Sequence, residues 1–128
     1  MKDNSTALTP TEWPLMECLW ERSPRTGREA ADDLRVRAGW SRSTTLTLLR
    51  RMSGKGLIAC ESAGETLTYR PLLRREDAAR QETRSFLNRV YKGSVGLMVS
   101  AMTQEQALSR EELDALREIL RQAEGGET

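Results

Sequence analysis

The sequence predicts a mostly α-helical protein that carries one β-hairpin and divides into two parts. Ser/Thr-x-x-Glu motifs at Thr9, Thr26 and Ser109 mark helix starts, because the hydroxyl and the carboxylate each satisfy a backbone amide that lacks a partner within the helix. Two short runs of alternating apolar residues surround the letters AGET, a pattern typical of a hairpin. From about Arg75 onward, apolar residues recur at helical spacing.

The first helix is expected to run to about Glu21, with a hydrophobic staple between Leu8 and Trp13 at its start. Pro14 allows two interpretations of that start, because proline lacks an amide donor and crowds the preceding turn. Either the first turn is loosened, or the helix begins nearer Thr11 and Pro14 falls in the first turn, where it is tolerated.

The letters SPRTG are interpreted as a turn, after which a second helix runs from Gly27 to about Arg37 and ends at Gly39. Ser41 is placed to cap a third helix, which continues to about Ser53. The two helices are therefore separated by only a few residues.

The runs LIACES and LTYRPL predict the two strands of the hairpin. Pro71, near the end of the second strand, is expected at an edge position, since it cannot donate to a neighbouring strand. Three helices followed directly by a hairpin describe a winged helix-turn-helix domain, which we assign to residues 1–73.

Residues 74–128 are predicted to form a second, wholly helical domain that serves for dimerisation. A segment of this size cannot bury so many apolar residues by itself, and a second copy of the same segment is the simplest remedy. The alternative is that the segment folds back on the N-terminal domain. The candidate interface residues of the homodimer are Phe86, Leu87, Val90, Tyr91, Leu97, Met98, Leu113, Leu116, Ile119 and Leu120.

Basic residues are unevenly distributed along the chain, although its formal net charge is only +1. Between Leu34 and Cys60 there are six basic residues and no Asp or Glu. A local positive field can attract a polyanion even when the whole molecule is nearly neutral. The alternative interpretation is an ordinary solvated basic surface.

The third helix has one face for the core and a different face for a partner. At about 100° per residue, one sector holds the residues predicted to face the core, which are Thr45, Leu48, Leu49 and Met52. The opposite side and its flanks carry Arg42, Ser43, Thr44, Leu46, Thr47, Arg50 and Arg51. Short donors and acceptors suit base edges in the major groove, and arginines suit phosphates or a guanine edge. This face is the predicted contact with double-stranded DNA.

Leu46 has two interpretations of its own. It can touch a thymine methyl group in the groove, or it can pack on the surface of its own domain.

The residue types present argue against several other functions. The chain has no histidine and only two cysteines, so no cofactor, metal site or catalytic residue is predicted. Cys18 and Cys60 are both expected to be reduced, packed thiols, with redox sensing as the alternative. No apolar run approaches the ~18 residues of a membrane span and no secretory signal is present, so we expect a cytoplasmic protein without membrane insertion.

Five segments, in this order, resemble the penicillinase-repressor family of winged-helix transcriptional regulators, the group that includes the BlaI, MecI and CopY proteins. They are LTPTEWPLMECLW, STTLTLLRRMSGKGLI, YRPL, FLNRVYKGSVGLMVS and LSREELDALREIL, and they extend over about residues 8–123. The resemblance implies a homodimeric repressor whose N-terminal domains bind a two-fold symmetric operator.

The resemblance also implies roles for particular residues. The family's DNA-contacting positions fall on Ser41, Arg42, Ser43, Thr44, Thr47 and Arg51. In much of the family a membrane sensor protease ends repression by cleaving the C-terminal helices, and the corresponding place here is near Ala101 and Met102, where the residue types differ from the best-known members. Thr45 occupies a position usually given to valine or isoleucine. No cysteine follows Cys60, which excludes copper sensing through the C-terminal cysteine cluster of the copper-responsive branch.

A protein-interaction adaptor that never binds nucleic acid is the alternative function, because winged helices also serve that purpose. A salt titration separates the two functions, since affinity for DNA falls steeply as the salt concentration rises.

Overall fold

The computed structural model describes residues 7–125, and residues 1–6 and 126–128 lie outside the described part. The expectation that the N-terminal segment carries no secretory signal therefore falls partly on residues outside the described ones and stays a prediction. Its elements in chain order are α1 (Glu12–Glu21), β1 (Arg25–Thr26), α2 (Gly27–Ala38), α3 (Arg42–Gly54), β2 (Ile58–Ala63), β3 (Thr66–Pro71), α4 (Arg75–Tyr91), α5 (Val95–Gln104) and α6 (Arg110–Gly125). The predicted fold class, three helices and a hairpin followed by a helical region, is confirmed.

The start of α1 resolves the ambiguity around Pro14. Thr9 and Glu12 form the predicted capping box, in which the Glu12 amide donates to Thr9 Oγ1 at 3.2 Å and the Thr9 amide donates to Glu12 Oε1 at 2.9 Å. The regular helix α1 begins at Glu12, so Pro14 is its third residue. The turn before it is held by the Thr9 cap and by the Trp13 amide, which donates to the Thr9 carbonyl oxygen at 3.2 Å, and the missing donor of Pro14 comes directly after that turn.

The caps of α2 and α3 confirm the boundaries predicted between these helices. Thr26 and Glu29 exchange the two hydrogen bonds of a capping box, at 2.9 and 3.0 Å. Gly39 ends α2 with a φ of 71°, a left-handed conformation that glycine adopts without steric cost. Ser41 caps α3 by accepting a hydrogen bond from the Thr44 amide.

The segment SPRTG is not only a turn, which corrects the sequence interpretation. Arg25 and Thr26 form a two-residue strand that pairs antiparallel with Tyr69 and Thr68 of β3. A strand this short has no periodicity of its own, and its partner lies far along the chain. The sheet order is β1-β3-β2, so β3 is the central strand and not an edge.

Pro71 is nevertheless compatible with this central strand. It pairs with Ile58 of β2, and β1 reaches only as far as Tyr69. On the β1 side of β3 no strand runs beside Pro71, so the amide donor that proline lacks is not needed for a hydrogen bond to β1.

The core of the N-terminal part is formed by α1, α2, α3 and the first residue of β2, together with Leu8 before α1 and Ala78 of α4. Its buried apolar side chains are Leu8, Leu15, Met16, Cys18, Leu19, Ala30, Leu34, Leu48, Leu49, Met52, Ile58 and Ala78. Burial raises the pKa of the Cys18 thiol to about 12, helped by its hydrogen bond to Asp33, so Cys18 is the protonated packed thiol that we predicted.

Cys60 is exposed, and the prediction that it is packed was wrong. Ile58 is buried at the beginning of β2, but the strand then leaves the core and every residue after Ala59 in β2 is exposed. Apolar and polar residues do alternate along β2, but beyond Ala59 the strand extends past the helices, so its apolar side chains stay exposed.

The beginning of α4 packs against α1. The indole nitrogen of Trp20 donates to the carbonyl oxygen of Leu73 at 2.9 Å, and Arg75 lies over the Trp20 ring while pairing with Glu17 at 3.0 Å. Ala78 is 1% exposed. The described residues accordingly divide into two compact units within α4, after Thr83, whereas the domain boundary predicted after residue 73 stays a prediction.

The C-terminal unit contains the end of α4 together with α5 and α6. Ser109 and Glu112 form the third predicted capping box, with two hydrogen bonds of 3.1 Å. No residue of α5 or α6 is buried. Among residues 7–125, no helix is long and apolar enough to cross a membrane.

Candidate nucleic-acid interface

α3 is held by the face that the sequence predicted to be buried. Thr45, Leu49 and Met52 are completely buried, and Leu48 is 4% exposed. Burying an apolar side chain of this size contributes about 1.5–3 kcal/mol, which fixes the rotation of α3 about its own axis. The opposite face, with Ser43, Thr44, Thr47, Arg50 and Arg51, is therefore presented to solvent.

Three hydroxyl groups form a cluster at the start of α3. Ser41 Oγ accepts the Thr44 amide at 3.2 Å and lies 3.0 Å from Thr44 Oγ1 and 3.3 Å from Ser43 Oγ. All three residues are exposed. Ser41 is committed to the helix cap, so its main effect is to position the hydroxyl groups of Ser43 and Thr44.

An open groove of about 310 Å³ runs between the start of α1 and α3, lined by Thr11, Ser43, Thr44, Thr47, Leu48 and Arg51. The sequence did not identify Thr11 as a member of this surface. Two threonines precede α1, and since Thr9 closes the capping box, the Thr11 side chain makes no capping hydrogen bond. The sequence signal for Thr11 was its position inside a capping box that Thr9 and Glu12 already complete, which leaves the Thr11 hydroxyl free of a capping role.

Leu46 packs on its own domain, which was the second of its two interpretations. Its side chain is half-buried against the core cluster. A Cβ atom placed on Gly27 would lie 3.0 Å from Leu46 Cδ2, so the two helices approach closely at this point. We therefore leave Leu46 out of the interface.

Two of the six basic residues between Leu34 and Cys60 are neutralised by carboxylates from elsewhere in the chain. Arg37 pairs with Asp33 at 2.8 Å and with Glu21 at 2.6 Å, and Lys55 pairs with the buried Glu12. Hydrogen bonds from Arg37 to Glu21 and Asp33 raise the pKa of its guanidinium group.

The other basic residues of that segment are Arg35, Arg42, Arg50 and Arg51, and each is exposed. Within residues 7–125 none of these four forms a salt bridge, whereas Arg37 and Arg75 are paired. Within the segment from Leu34 to Cys60, the positive charge that remains available is therefore concentrated on α3 and at Arg35 of α2.

The hairpin contributes little positive charge to this surface. Its strands are joined by the two residues Gly64 and Glu65, and Gly64 has a φ of 71°. Arg70, the single basic residue between Ile58 and Pro71, pairs with Glu61 at 3.2 Å. A carboxylate at the hairpin tip disfavours close contact with a phosphate backbone.

The ten residues predicted for the dimer interface all lie in the C-terminal unit, and none is buried. Phe86 and Tyr91 pack edge to face on α4, with ring centroids 5.8 Å apart. Met98, Leu116 and Ile119 line one apolar groove of about 300 Å³ between α5 and α6. The side chains that are most exposed are Val90 at 48%, Leu97 at 59%, Ile119 at 60% and Leu120 at 56%.

The residues suggested for regulatory cleavage lie within α5. Ala101 is half-buried and Met102 is 39% exposed, and both have helical backbone conformations.

Three helices, a third helix with an exposed hydroxyl and guanidinium face, and a hairpin that pairs with a short strand before α2 define a winged-helix protein. The chain belongs to the penicillinase repressor family, whose model matches residues 8–122.

Two relatives cover most of the chain. The methicillin resistance regulatory protein MecI of Staphylococcus aureus (strain N315) is 28% identical over 119 residues, which are 92% of this chain and 97% of that protein. The penicillinase repressor of Bacillus licheniformis is 30% identical over 113 residues, which are 88% of each chain.

Solved structures show the same N-terminal fold. The DNA-binding domain of the repressor BlaI superposes with a TM-score of 0.52 at 26% identity, covering 60% of this chain and 93% of that one. The monomeric form of Bacillus licheniformis BlaI in complex with the blaP half-operator gives a TM-score of 0.51, also at 26% identity and with the same coverage.

Proposed function

We propose that this chain is a sequence-specific DNA-binding transcriptional repressor that acts in the cytoplasm as a homodimer on a two-fold symmetric operator. The observation that carries the proposal is the exposed face of α3, which combines hydroxyl groups with guanidinium groups that have no carboxylate partner among the described residues. The similarity to BlaI, which has been solved in complex with a half-operator, supports the same function.

The exposed face of α3 matches what the major groove of DNA requires. Ser43, Thr44 and Thr47 supply short donors and acceptors on the N-terminal half of the helix, where a recognition helix approaches base edges. Arg42 and Arg51 are long enough to reach phosphates on either side. The rigid attachment of α3 through its buried face keeps these groups in a fixed arrangement.

The exposed apolar residues of the C-terminal unit support the homodimer. Within one chain no residue of α5 or α6 is buried. The large apolar side chains of Leu97, Ile119 and Leu120 are each more than half exposed. Large apolar side chains that a single chain leaves exposed in this number favour an interaction site. A second copy would cover it by an isologous contact and would place two copies of α3 on the two halves of a symmetric site.

The role of Thr47 is tested by fluorescence anisotropy with two duplexes, one enriched by the full-length protein from a random pool and a shuffled duplex of the same length. Thr47→Ala removes a base-edge contact worth about 1–3 kcal/mol. We expect it to weaken the enriched duplex much more than the shuffled one. Thr83→Ala, an exposed threonine on α4, is the matched control and should leave both affinities unchanged.

Arg51→Ala separates phosphate contact from base contact in the same assay. It should weaken both duplexes similarly and reduce the salt dependence of binding. Equal loss on the two duplexes from Thr47→Ala would contradict base reading by Thr47. If the wild-type protein binds neither duplex even at low salt, the repressor proposal fails and the adaptor function becomes the favoured alternative.

A further inference from the structure

A second cleft, of about 170 Å³, lies between α2 and the first residue of α3. It is lined by Arg28, Ala31, Asp32, Arg35 and Arg42, and we call it the arginine cleft. Three guanidinium groups and one carboxylate leave this cleft with a net positive charge. Each of its four charged residues is exposed.

The arginines of this cleft do not pair with the carboxylate that lies among them. Asp32 and Arg35 are three residues apart on α2, the same spacing as Asp77 and Arg80 on α4 or Asp114 and Arg117 on α6. Those two pairs both form salt bridges of 3.1 Å. Within the described part of the chain, Asp32 and Arg35 form none.

Arg28 strengthens this contrast. It lies four residues before Asp32, on the same face of α2, where an ion pair is also geometrically available. No salt bridge of Arg28 occurs within residues 7–125 either. The guanidinium groups of the arginine cleft are therefore left with their charge and donors available to an external anion.

The arginine cleft is continuous with the proposed DNA interface. Arg42 lines the cleft and is also the first residue of α3, directly after the Ser41 cap. The next residue, Ser43, lines the groove on the α1 side of α3. A duplex whose major groove receives α3 presents its phosphate backbones beside that helix, and guanidinium groups bind phosphate oxygens through strong charge-assisted hydrogen bonds.

We propose that the arginine cleft binds a backbone phosphate of the operator that lies outside the bases read by α3, an inference that rests on the proposed function. Arg28 and Arg35 donate to the phosphate oxygens from α2, and Arg42 donates from the start of α3. Asp32 opposes the binding because its carboxylate lies beside the same anion. The cleft therefore sets affinity and register on the duplex, and it carries no base preference of its own.

Arg28→Gln and Arg35→Gln test the proposal, because each removes the positive charge while keeping a polar side chain that is compatible with the helix. Binding of the full-length protein to the enriched and shuffled duplexes is measured by anisotropy between about 50 and 200 mM salt. Each variant should bind both duplexes more weakly, with the ratio of the two affinities unchanged. The slope of log affinity against log salt should become shallower by about 0.9 for each phosphate that the variant no longer neutralises.

For Asp32→Asn the proposal predicts tighter binding to DNA, the opposite of the effect expected for the two glutamine variants. This test therefore does not depend on a loss of function. Removing the opposing carboxylate should tighten binding to both duplexes several-fold, again without changing their ratio. Arg110→Gln, an exposed arginine at the start of α6 that is also free of a salt bridge among residues 7–125, is the matched control and should change neither affinity nor slope.

Three results would overturn the proposal. Unchanged affinity and salt slope in both glutamine variants, with normal binding by the wild type, would reject the cleft and leave the repressor function standing. Loss on the enriched duplex alone would show base reading in place of phosphate binding. Absence of any duplex binding by the wild type at about 50 mM salt would remove both proposals together. Equal thermal midpoints for all variants establish that these comparisons are made between folded proteins.

Discussion

Thr45 places a hydroxyl group on the fully buried face of α3. Among the described residues, its Oγ1 and the Oγ of Ser53 are the buried side-chain oxygens that have no hydrogen-bond partner. An unpaired buried hydroxyl costs about 1–3 kcal/mol. The family resemblance assigns valine or isoleucine to this position, and both residues avoid that cost, valine with nearly the same shape as threonine.

Thr45→Val should therefore raise the free energy of unfolding by about 1 kcal/mol, as measured by urea denaturation. DNA affinity should not change, because Thr45 faces the core and not the exposed side of α3. Thr47→Val is the matched control, since Thr47 is exposed and gains nothing from losing its hydroxyl. A less stable Thr45→Val protein would show that the hydroxyl is satisfied in solution.

α1 and α3 are connected by one buried carboxylate. Glu12 is 3% exposed, and it closes the capping box of α1 through Oε1 while its Oε2 pairs with Lys55, the residue that follows α3. Burial raises the pKa of Glu12, but the hydrogen bonds from Lys55 and from the Thr9 amide, together with the Lys55 charge, lower it more. The pKa consequently lies below its ordinary value of 4.5.

This pKa makes the contribution of Glu12 to stability dependent on pH. A carboxyl whose pKa is lowered by folding stabilises the protein fully above its unfolded value, and the contribution disappears as the pH falls through the folded value. Wild type should be more stable than Glu12→Gln at pH 7, and the difference should shrink below about pH 4.5. Urea denaturation at several pH values measures both free energies.

Glu105→Gln provides the control for this experiment, because Glu105 is exposed and its side chain takes no part in an ion pair within the described residues. The free energy of unfolding of the Glu105→Gln protein should equal that of the wild type at every pH. A gap between wild type and Glu12→Gln that stays constant from pH 7 to pH 3 would contradict the role of the Glu12 charge.

The two compact units of the molecule differ in how completely a single chain buries them. The N-terminal unit has a core with several fully buried side chains, whereas α5 and α6 bury none. Leu120 tests whether a second copy covers the C-terminal unit, since it is 56% exposed and its replacement disturbs little within one chain. Leu116 is less suitable, because it also lines the groove between α5 and α6.

Leu120→Asp should shift the proposed homodimer to monomers in sedimentation velocity, because an aspartate in the proposed apolar interface would have to be desolvated. Operator affinity should fall as well, since a monomer contacts one half-site only. Leu67→Asp, a leucine that is 51% exposed on the hairpin, is the control and should sediment like the wild type. An unchanged sedimentation profile for Leu120→Asp would reject this interface.

Features that depend on neighbouring residues in the chain could be predicted from the sequence. The capping boxes at Thr9, Thr26 and Ser109 all form, and the predicted face of α3 is the buried one. Helix capping and helical periodicity act over three or four residues. The polar face of α3 followed from the same periodicity, so most of the candidate site could be read before the fold was known.

Features that depend on distant residues could not be predicted, because nothing in the local pattern encodes which segments meet. The pairing of Arg25 with Tyr69 created a strand, and carboxylates from α1 neutralised Lys55 and part of the charge of Arg37. The packing of Leu46 on its own domain has the same origin. Composition and spacing specified the chemical groups on α3, and long-range packing selected which of those groups keep their charge and face solvent.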